Sequence, residues 1–284
     1  DMMKCTFGIR KAMASVVRLN KILAINDEII NEKKDSISES KEIPIIAIKD
    51  LSFKYDNESV LENISLQINK GQKVAILGAT GSGKSTLLSL IIRLYDDYEG
   101  TIQIGGKDIR SYSYNTIRNY ITYVPQNPLL LNDSIKNNIT LCNDKFSEED
   151  IIRAAKQAEI HDFITLLPDD YNTIIGDRGC NLSGGQQQGI SLTRAFIKDS
   201  PILLIDEGTA ALDPELESNV MSNIINNMND KTMIIVSHKI STVLNADYVY
   251  VFNDGKIIES GNPKELWQRN GYFRSMANLQ NIKL

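Results

Sequence analysis

The 284-residue sequence has few cysteines, no long apolar run and no excess of positive charge. Its three cysteines are scattered and lack metal-ligand spacing, which predicts reduced thiols in a cytosolic setting. No apolar run reaches about 18 residues, so no segment is predicted to span a membrane by itself. We expect no secretory leader, because the first residues lack a charged-then-apolar signal. The net charge of −5 argues against binding to nucleic acid through phosphate contacts.

The composition changes twice along the chain. Residues 1–25 are predicted to be helical, with basic residues between apolar ones. This helix could pack on its own domain, or it could be the cytoplasmic extension of a truncated transmembrane helix, where Lys and Arg are favoured. Residues 26–43 are polar and charged, which predicts a linker. Residues 44–284 then form the main domain.

Within the main domain, short strand-like runs alternate with helical patterns. Apolar runs at 202–205, 233–236 and 248–252 are typical of buried parallel strands, and residues 214–228 are predicted to be helical. Residues 147–166 open on a serine followed by acids, which predicts the N-cap of a helical insert. The alternation predicts an α/β fold with a doubly wound sheet and a ligand at the carboxyl ends of its strands.

A glycine-rich motif at residues 78–86 carries the strongest chemical signal. Its glycines let backbone N–H groups surround phosphates, Lys84 supplies a charge for the β/γ oxygens, and Ser85 offers a hydroxyl to Mg²⁺. A turn without a ligand is the alternative, but the flanking strand-like and helix-like runs favour a P-loop. The predicted phosphate-binding residues are Gly78, Ala79, Thr80, Gly81, Ser82, Gly83, Lys84, Ser85 and Thr86.

Two acids follow the apolar run at 202–205. Asp206, at the strand end, is predicted to hold Mg²⁺, and Glu207 is predicted to orient a water that attacks the terminal phosphate. An acidic turn after a strand is common, so this interpretation depends on the P-loop upstream. Phosphoryl transfer requires mainly positioning and charge compensation, and this set of residues supplies both.

Further motifs make the chain resemble the nucleotide-binding domain of an ATP-binding cassette (ABC) transporter over about residues 44–275. They are Leu182-Ser-Gly-Gly-Gln186, Ala211-Leu-Asp-Pro214 and Val236-Ser-His238, in the order found in the family. The resemblance implies a P-loop ATPase core with a parallel sheet, an antiparallel β subdomain and a helical subdomain at roughly 131–182. It also implies binding of ATP and Mg²⁺.

The family places ATP between two such domains packed head to tail. The resemblance implies that the signature residues Ser183, Gly184, Gly185 and Gln186 of one copy close on the γ-phosphate held by the P-loop of the other. Serine is a good N-cap and a helix N-terminus attracts anions, which supports this role. Taken alone, the pentapeptide reads as an ordinary helix start.

Four other positions take their roles from the resemblance. Gln126 matches the glutamine that contacts Mg²⁺ and the attacking water, and His238 matches the switch histidine on the γ-phosphate. Tyr55 matches the aromatic residue that stacks on adenine, although a core tyrosine is the alternative. Asp213 matches a loop at the dimer interface. For His238 the alternative is a neutral imidazole at a strand end, and His161 is expected to lie on the surface.

The resemblance narrows to exporters. Residues 173–179 resemble the exporter loop that touches membrane helices, and residues 1–25 resemble the end of the last transmembrane helix. The implied protein is an ATPase that couples hydrolysis to export, with a second nucleotide-binding domain and a missing transmembrane domain as partners and no nucleic acid. It would lie at the cytoplasmic face of a cell membrane, and the Asn- and Ile-rich composition favours a bacterial source.

Two other functions are compatible with a P-loop ATPase core. A soluble ABC-type ATPase acting on DNA or chromosomes would need a long coiled-coil insertion, which residues 87–181 lack. A non-catalytic nucleotide sensor is disfavoured by Glu207 and His238. The chain also departs from the usual exporter pattern, and these departures are expected to affect the signature helix rather than phosphate binding. They are Gln187, Gly189, Gly208 and Ala210.

Overall fold

A computed structural model describes residues 13, 15–20, 23, 36–38, 40, 42–176, 179–209, 211–227 and 230–282. The predictions for residues 1–25 and 26–43 therefore lie largely outside the described residues. Residues 15–20 are helical and exposed. Within the described part of the chain, no helix is both long and apolar enough to cross a bilayer.

Twelve strands are described, and they form three sheets. In chain order they are β1 (Ile46–Tyr55), β2 (Glu58–Ile68), β3 (Lys73–Gly78), β4 (Glu99–Ile104), β5 (Lys107–Asp108), β6 (Ile121–Val124), β7 (Asp133–Ser134), β8 (Ile174–Ile175), β9 (Ile202–Asp206), β10 (Thr232–Ser237), β11 (Tyr248–Asn253) and β12 (Lys256–Gly261).

The helices within residues 84–282 connect these strands, and two short 3₁₀ turns lie at Ile109–Ser111 and Asp170–Asn172. In chain order the helices are α1 (Lys84–Ile91), α2 (Tyr114–Tyr120), α3 (Ile135–Thr140), α4 (Glu148–Gln157), α5 (His161–Thr165), α6 (Gly184–Lys198), α7 (Pro214–Asn227), α8 (Ile240–Val243), α9 (Pro263–Gln268) and α10 (Tyr272–Leu279).

The central sheet has six strands in the order β12-β11-β3-β10-β9-β6, and only the edge strand β12 is antiparallel to its neighbour. Its middle strands are buried on both faces, as continuous apolar runs require. Ile76 and Val236 face each other in register, and Val236 also pairs with Asp206. The carboxyl ends of β3, β9 and β10 therefore meet at one edge, and the predicted parallel core is confirmed.

The antiparallel subdomain has four strands in the order β2-β1-β4-β5. Two short strand-like runs lie at residues 45–48 and 51–55 of the sequence, and the structure joins most of them into β1 through an irregularity at Asp50, whose φ is 50°. Gly100 lies against this bend with φ +87°, and a Cβ there would be 2.4 Å from the Asp50 carbonyl oxygen. Only glycine fits at that crossing.

Within the helical subdomain, Ser147 is an N-cap as predicted, and it forms a capping box with Asp150 at the start of α4. The insert is two helices rather than one, because α4 ends at Gln157 and Glu159 takes a left-handed φ of 55° before α5. Buried residues of α3, α4 and α6 form a second apolar core beneath it. The three predicted parts of the fold are thus all present.

Candidate active site

The P-loop connects the end of β3 to the start of α1. Helix α1 has no side-chain cap and no acid in its first turn, so its N-terminal N–H groups and dipole face the loop. Gly83 has φ +93°, and a Cβ would lie 2.6 Å from Leu61 Cδ2. At Gly78 a Cβ would lie 2.4 Å from the Phe252 carbonyl oxygen. The fold therefore requires both motif glycines.

Lys84 lies inside this loop and is 5% exposed. Its Nζ donates to the carbonyl oxygens of Gly78 at 3.0 Å and Ala79 at 2.7 Å. Burial lowers the pKa of Lys84, while the charges of Glu207 and Asp206 oppose that shift. Ser82 Oγ is buried and has no hydrogen-bond partner among the described residues. A buried ammonium and an unsatisfied hydroxyl among inward N–H groups fit an anionic ligand.

Asp206 ends β9 and is 2% exposed. Its Oδ1 accepts a hydrogen bond from Ser85 Oγ at 3.0 Å, and its Oδ2 accepts one from Tyr123 Oη at 3.1 Å. Burial raises the pKa of Asp206, and these two hydrogen bonds partly offset the shift. Sequence reasoning missed Tyr123, because only the β6–β9 register reveals that it lies next to Leu204, two residues before Asp206.

The adjacent oxygens of Ser85 and Asp206 form a donor set that suits Mg²⁺, a hard cation that prefers oxygen ligands. In the described residues no group of three or more His, Cys, Asp or Glu side chains could hold a metal by itself. Mg²⁺ usually takes only one or two protein carboxylates and keeps water or phosphate ligands, so the two-residue set fits this ion.

Glu207 brings together the three predicted catalytic residues. Its left-handed φ of 48° turns the chain after β9, and its backbone N–H donates to the Val236 carbonyl at 3.1 Å. Oε2 accepts from Gln126 Nε2 at 2.8 Å, and His238 Nδ1 lies 3.0 Å from Oε1. Because a carboxylate only accepts, this contact requires a proton on Nδ1. Both carboxylate oxygens are therefore already engaged within the chain.

A side chain of the signature helix α6 binds the loop that follows Gln126. Arg194 in α6 is largely buried, and its guanidinium donates to the carbonyl oxygens of Asn138 at 2.6 Å and Leu129 at 2.8 Å. Burial lowers the pKa of Arg194. These contacts tie three elements of the helical subdomain to one another, and no sequence motif indicated them.

The signature residues lie at the start of α6. Ser183 Oγ accepts from the Gln186 N–H at 3.3 Å, and Gln186 Oε1 accepts from the Ser183 N–H at 2.8 Å, which completes a capping box. Gly184 and Gly185 line a cleft of about 520 Å³ that also contains Asp213. No hydrogen bond among the described residues joins this segment to the P-loop. One chain thus does not bring the two predicted phosphate sites together.

Three of the residues that depart from the usual exporter pattern contact neighbouring parts of the chain in the structure. Gln187 Nε2 donates to the carbonyl oxygens of Gly179 at 3.1 Å and Leu182 at 3.2 Å, which holds the turn before the signature. A Cβ at Gly189 would lie 2.6 Å from Ile160 Cδ1, and one at Gly208 would lie 2.8 Å from Val124 Cγ1. These glycines leave room for neighbouring side chains, and Ala210 lies outside the described residues.

Two aromatic predictions differ in outcome. Tyr55 is 39% exposed and packs edge-on against Phe53, with ring centroids 4.8 Å apart, so it is not a core tyrosine. Its contact with adenine stays a prediction. His161 is half-buried, and its Nδ1 lies 2.8 Å from Tyr171 Oη, so the expectation of a plain surface histidine is wrong. Cys142 and Cys180 are free and exposed.

Known proteins share the sequence and fold of this chain. The family model for the ABC transporter matches residues 61–210. An ATP-dependent lipid A-core flippase of Desulfotalea psychrophila is 41% identical over 272 residues, which cover 96% of this chain and 47% of that protein. Heavy metal tolerance factor 1 of Caenorhabditis elegans is 41% identical over 236 residues, covering 83% of this chain and 30% of that protein.

Among solved structures, a bacterial Atm1-family ABC exporter with ATP bound superimposes with a TM-score of 0.86 at 33% identity, covering 97% of this chain and 48% of that one. The chain thus spans about half the length of the flippase and of the exporter, or less in the case of the tolerance factor. The motif order, the fold and the extent of the match lead to one conclusion: this chain belongs to the ABC transporter family.

Proposed function

We propose that this chain is the ATP-hydrolysing motor domain of an ABC exporter. The main support is the contact of Glu207 with Gln126 and His238 beside a P-loop. These groups lie at the carboxyl edge of a parallel sheet, where α/β proteins bind their ligands. Positioned charges and one water-orienting carboxylate are what phosphoryl transfer to water requires.

Each residue has a defined task in this proposal. Backbone amides of residues 78–86 and the ammonium of Lys84 would bind the phosphates of ATP, and Tyr55 would stack on adenine. Ser85 and Asp206, with Gln126, would hold Mg²⁺, which neutralises charge on the phosphate oxygens when bound. Glu207 would accept the proton of the attacking water, and His238 would contact the terminal phosphate.

A second copy of the domain, or a related one, would complete the site. The N-terminus of α6 opens into the cleft. Among the described residues, the Ser183 side chain bonds only within the capping box of this helix. Such a terminus is suited to an anion from outside the chain. Head-to-tail pairing would therefore set the signature residues on the terminal phosphate bound by the partner.

Export is the task we assign to the complete protein. The flippase and exporter to which this chain is similar are about twice its length. We infer that a transmembrane domain accompanies this chain, that the domain works at the cytoplasmic face of a membrane, and that closure and opening of the paired domains drive transport. A DNA-acting ATPase is disfavoured, because no described helix between residues 87 and 181 exceeds ten residues.

The decisive experiment compares Glu207→Gln with the wild-type chain and with Glu149→Gln, an exposed control in α4. The wild type is expected to bind Mg-ATP and release phosphate. Glu207→Gln is expected to retain ATP binding, form a lasting dimer in light scattering and lose at least about 100-fold in turnover, the usual range for a general base. The control is expected to behave like the wild type.

Hydrolysis by Glu207→Gln at the wild-type rate would overturn the catalytic assignment. Absence of adenine-nucleotide binding by the wild type would overturn the proposal as a whole. A chain without nucleotide is expected to be monomeric at low concentration, because its partner is normally held nearby by the membrane part.

A further inference from the structure

A glutamine near the end of the described chain contacts the loop that carries His238. Gln280 follows α10, and its Nε2 donates to the His238 carbonyl oxygen at 2.7 Å. Its Oε1 accepts from the Ile240 N–H at 2.8 Å. Because one partner only accepts and the other only donates, a single orientation of the amide satisfies both. One planar group therefore fixes the backbone on both sides of Lys239.

The amide itself is held by an apolar anchor. Phe273 and Ala277 of α10 are fully buried, and they share a core cluster with Ile240 and Val243 of α8 and with Leu77 of β3. Helix α10 thus packs beneath the loop that follows β10. The Gln280 side chain needs no large movement to keep both hydrogen bonds, because its helix is fixed by this core.

The imidazole of His238 has much less support. Its side chain is 47% exposed, and among the described residues its one hydrogen bond is to Glu207. Strand β10 fixes the backbone only as far as Ser237. The position of the imidazole therefore depends on how the next peptide is held. The Gln280 amide donates to the carbonyl oxygen of this peptide, and Ser237 Oγ accepts from its N–H, that of Lys239, at 2.9 Å.

We propose that Gln280 is a positioning residue for His238, a proposal that rests on the proposed function. It holds the His238 backbone so that the imidazole can contact either Glu207 or the terminal phosphate of ATP. ADP lacks that phosphate. The contribution of Gln280 should therefore appear in the preference for ATP over ADP, whereas a purely structural role would change affinity for both nucleotides equally or only the stability.

The test uses Gln280→Met, which keeps the length but neither hydrogen bond, and Gln280→Glu, which keeps the acceptor for Ile240 and loses the donor. Asn278→Ala, exposed on the same helix, is the control. Calorimetry with Mg-ATP and Mg-ADP is expected to give about tenfold weaker ATP binding for Gln280→Met, as one or two lost hydrogen bonds predict, with ADP affinity unchanged. Gln280→Glu should lower ATP affinity at least as much, because its second carboxylate oxygen would face the His238 carbonyl oxygen, and Asn278→Ala should change neither affinity.

Two further measurements separate the possible results. Amide hydrogen exchange should show loss of protection at Ile240 in Gln280→Met, whether or not nucleotide binds. In a His238→Ala background, Gln280→Met should change the ATP preference no further. Equal weakening of ATP and ADP, or an undiminished effect without His238, would refute the positioning role. A wild-type chain that protects Ile240 but does not bind ATP would instead refute the proposed function.

Discussion

The two predicted phosphate-binding regions of this chain are supported in different ways. At the P-loop edge, Lys84, Asp206 and Glu207 each contact other parts of the same chain, and the motif glycines are required by close backbone contacts. At the signature, the side chains of Ser183 and Gln186 bond only to each other's backbone within the described part of the chain, and they face an open cleft. The first region is organised by its own chain, whereas the second is suited to a ligand from elsewhere.

Lys84→Ala should have the largest effect on nucleotide binding, because it removes the buried ammonium at the P-loop edge. A hydrogen bond to a charged group is worth up to about 3 kcal/mol, so nucleotide affinity should fall by about 100-fold. Fluorescent-nucleotide titration checks this, with Lys107→Ala as the control at an exposed position. Unchanged affinity in Lys84→Ala would mean that the nucleotide binds away from the P-loop.

Gly189→Ala tests whether the signature helix α6 packs tightly against Ile160. The new Cβ would meet Ile160 Cδ1 at 2.6 Å, so we expect a loss of about 2 kcal/mol in unfolding free energy despite the better helix propensity of alanine. Urea denaturation should show that Ile160→Ala removes most of this penalty. Gly184→Ala, whose Cβ would meet only Ala211 at 3.6 Å, should not destabilise the chain.

Ser183→Ala separates the capping role of the signature serine from a role in hydrolysis, because α4 has a matching capping box. Ser147 caps α4 in the same way, so both alanine variants should lose about 1 kcal/mol of stability. Only Ser183→Ala should lower ATP turnover, by about tenfold, the effect of one hydrogen bond to a charged ligand. Nucleotide affinity of the dilute chain should stay unchanged. Equal turnover in the two variants would contradict a role for the signature in hydrolysis.

Tyr123→Phe should have the smallest effect of these variants. It tests a hydrogen bond to Asp206 at the P-loop edge. It leaves Asp206 Oδ2 without its donor, which should cost about 1 kcal/mol at neutral pH. Losing this bond raises the pKa of Asp206 further. A carboxyl whose pKa is raised on folding stabilises the fold below its unfolded pKa and loses that contribution as pH rises through the folded pKa.

The penalty in Tyr123→Phe should therefore be present at pH 7 and shrink when Asp206 is protonated in acid. Chemical denaturation at several pH values measures it. In an Asp206→Ala background, which removes the acceptor, the substitution should have little effect at any pH. A penalty that persists there would mean that the Tyr123 hydroxyl acts through a contact other than Asp206.

Local motifs in the sequence indicated most residues of the candidate site. The P-loop and the acids after β9 were predictable because each combines a short motif with an apolar strand. Tyr123, Gln280 and the fit of Gly189 to Ile160 were not, since each depends on strand register or on elements far apart in the chain. The bend at Asp50 and the break at Glu159 were missed because single left-handed residues leave little trace in hydrophobic periodicity.

The hydrogen bonds of Glu207 bear on the rate of the proposed hydrolysis. An attacking water must share this carboxylate with Gln126 and His238, or take the place of one of them. We therefore expect slow hydrolysis by a single chain. In the proposed dimer, movement of either side chain would free the carboxylate for water, so these two contacts are where binding of the partner would change the rate.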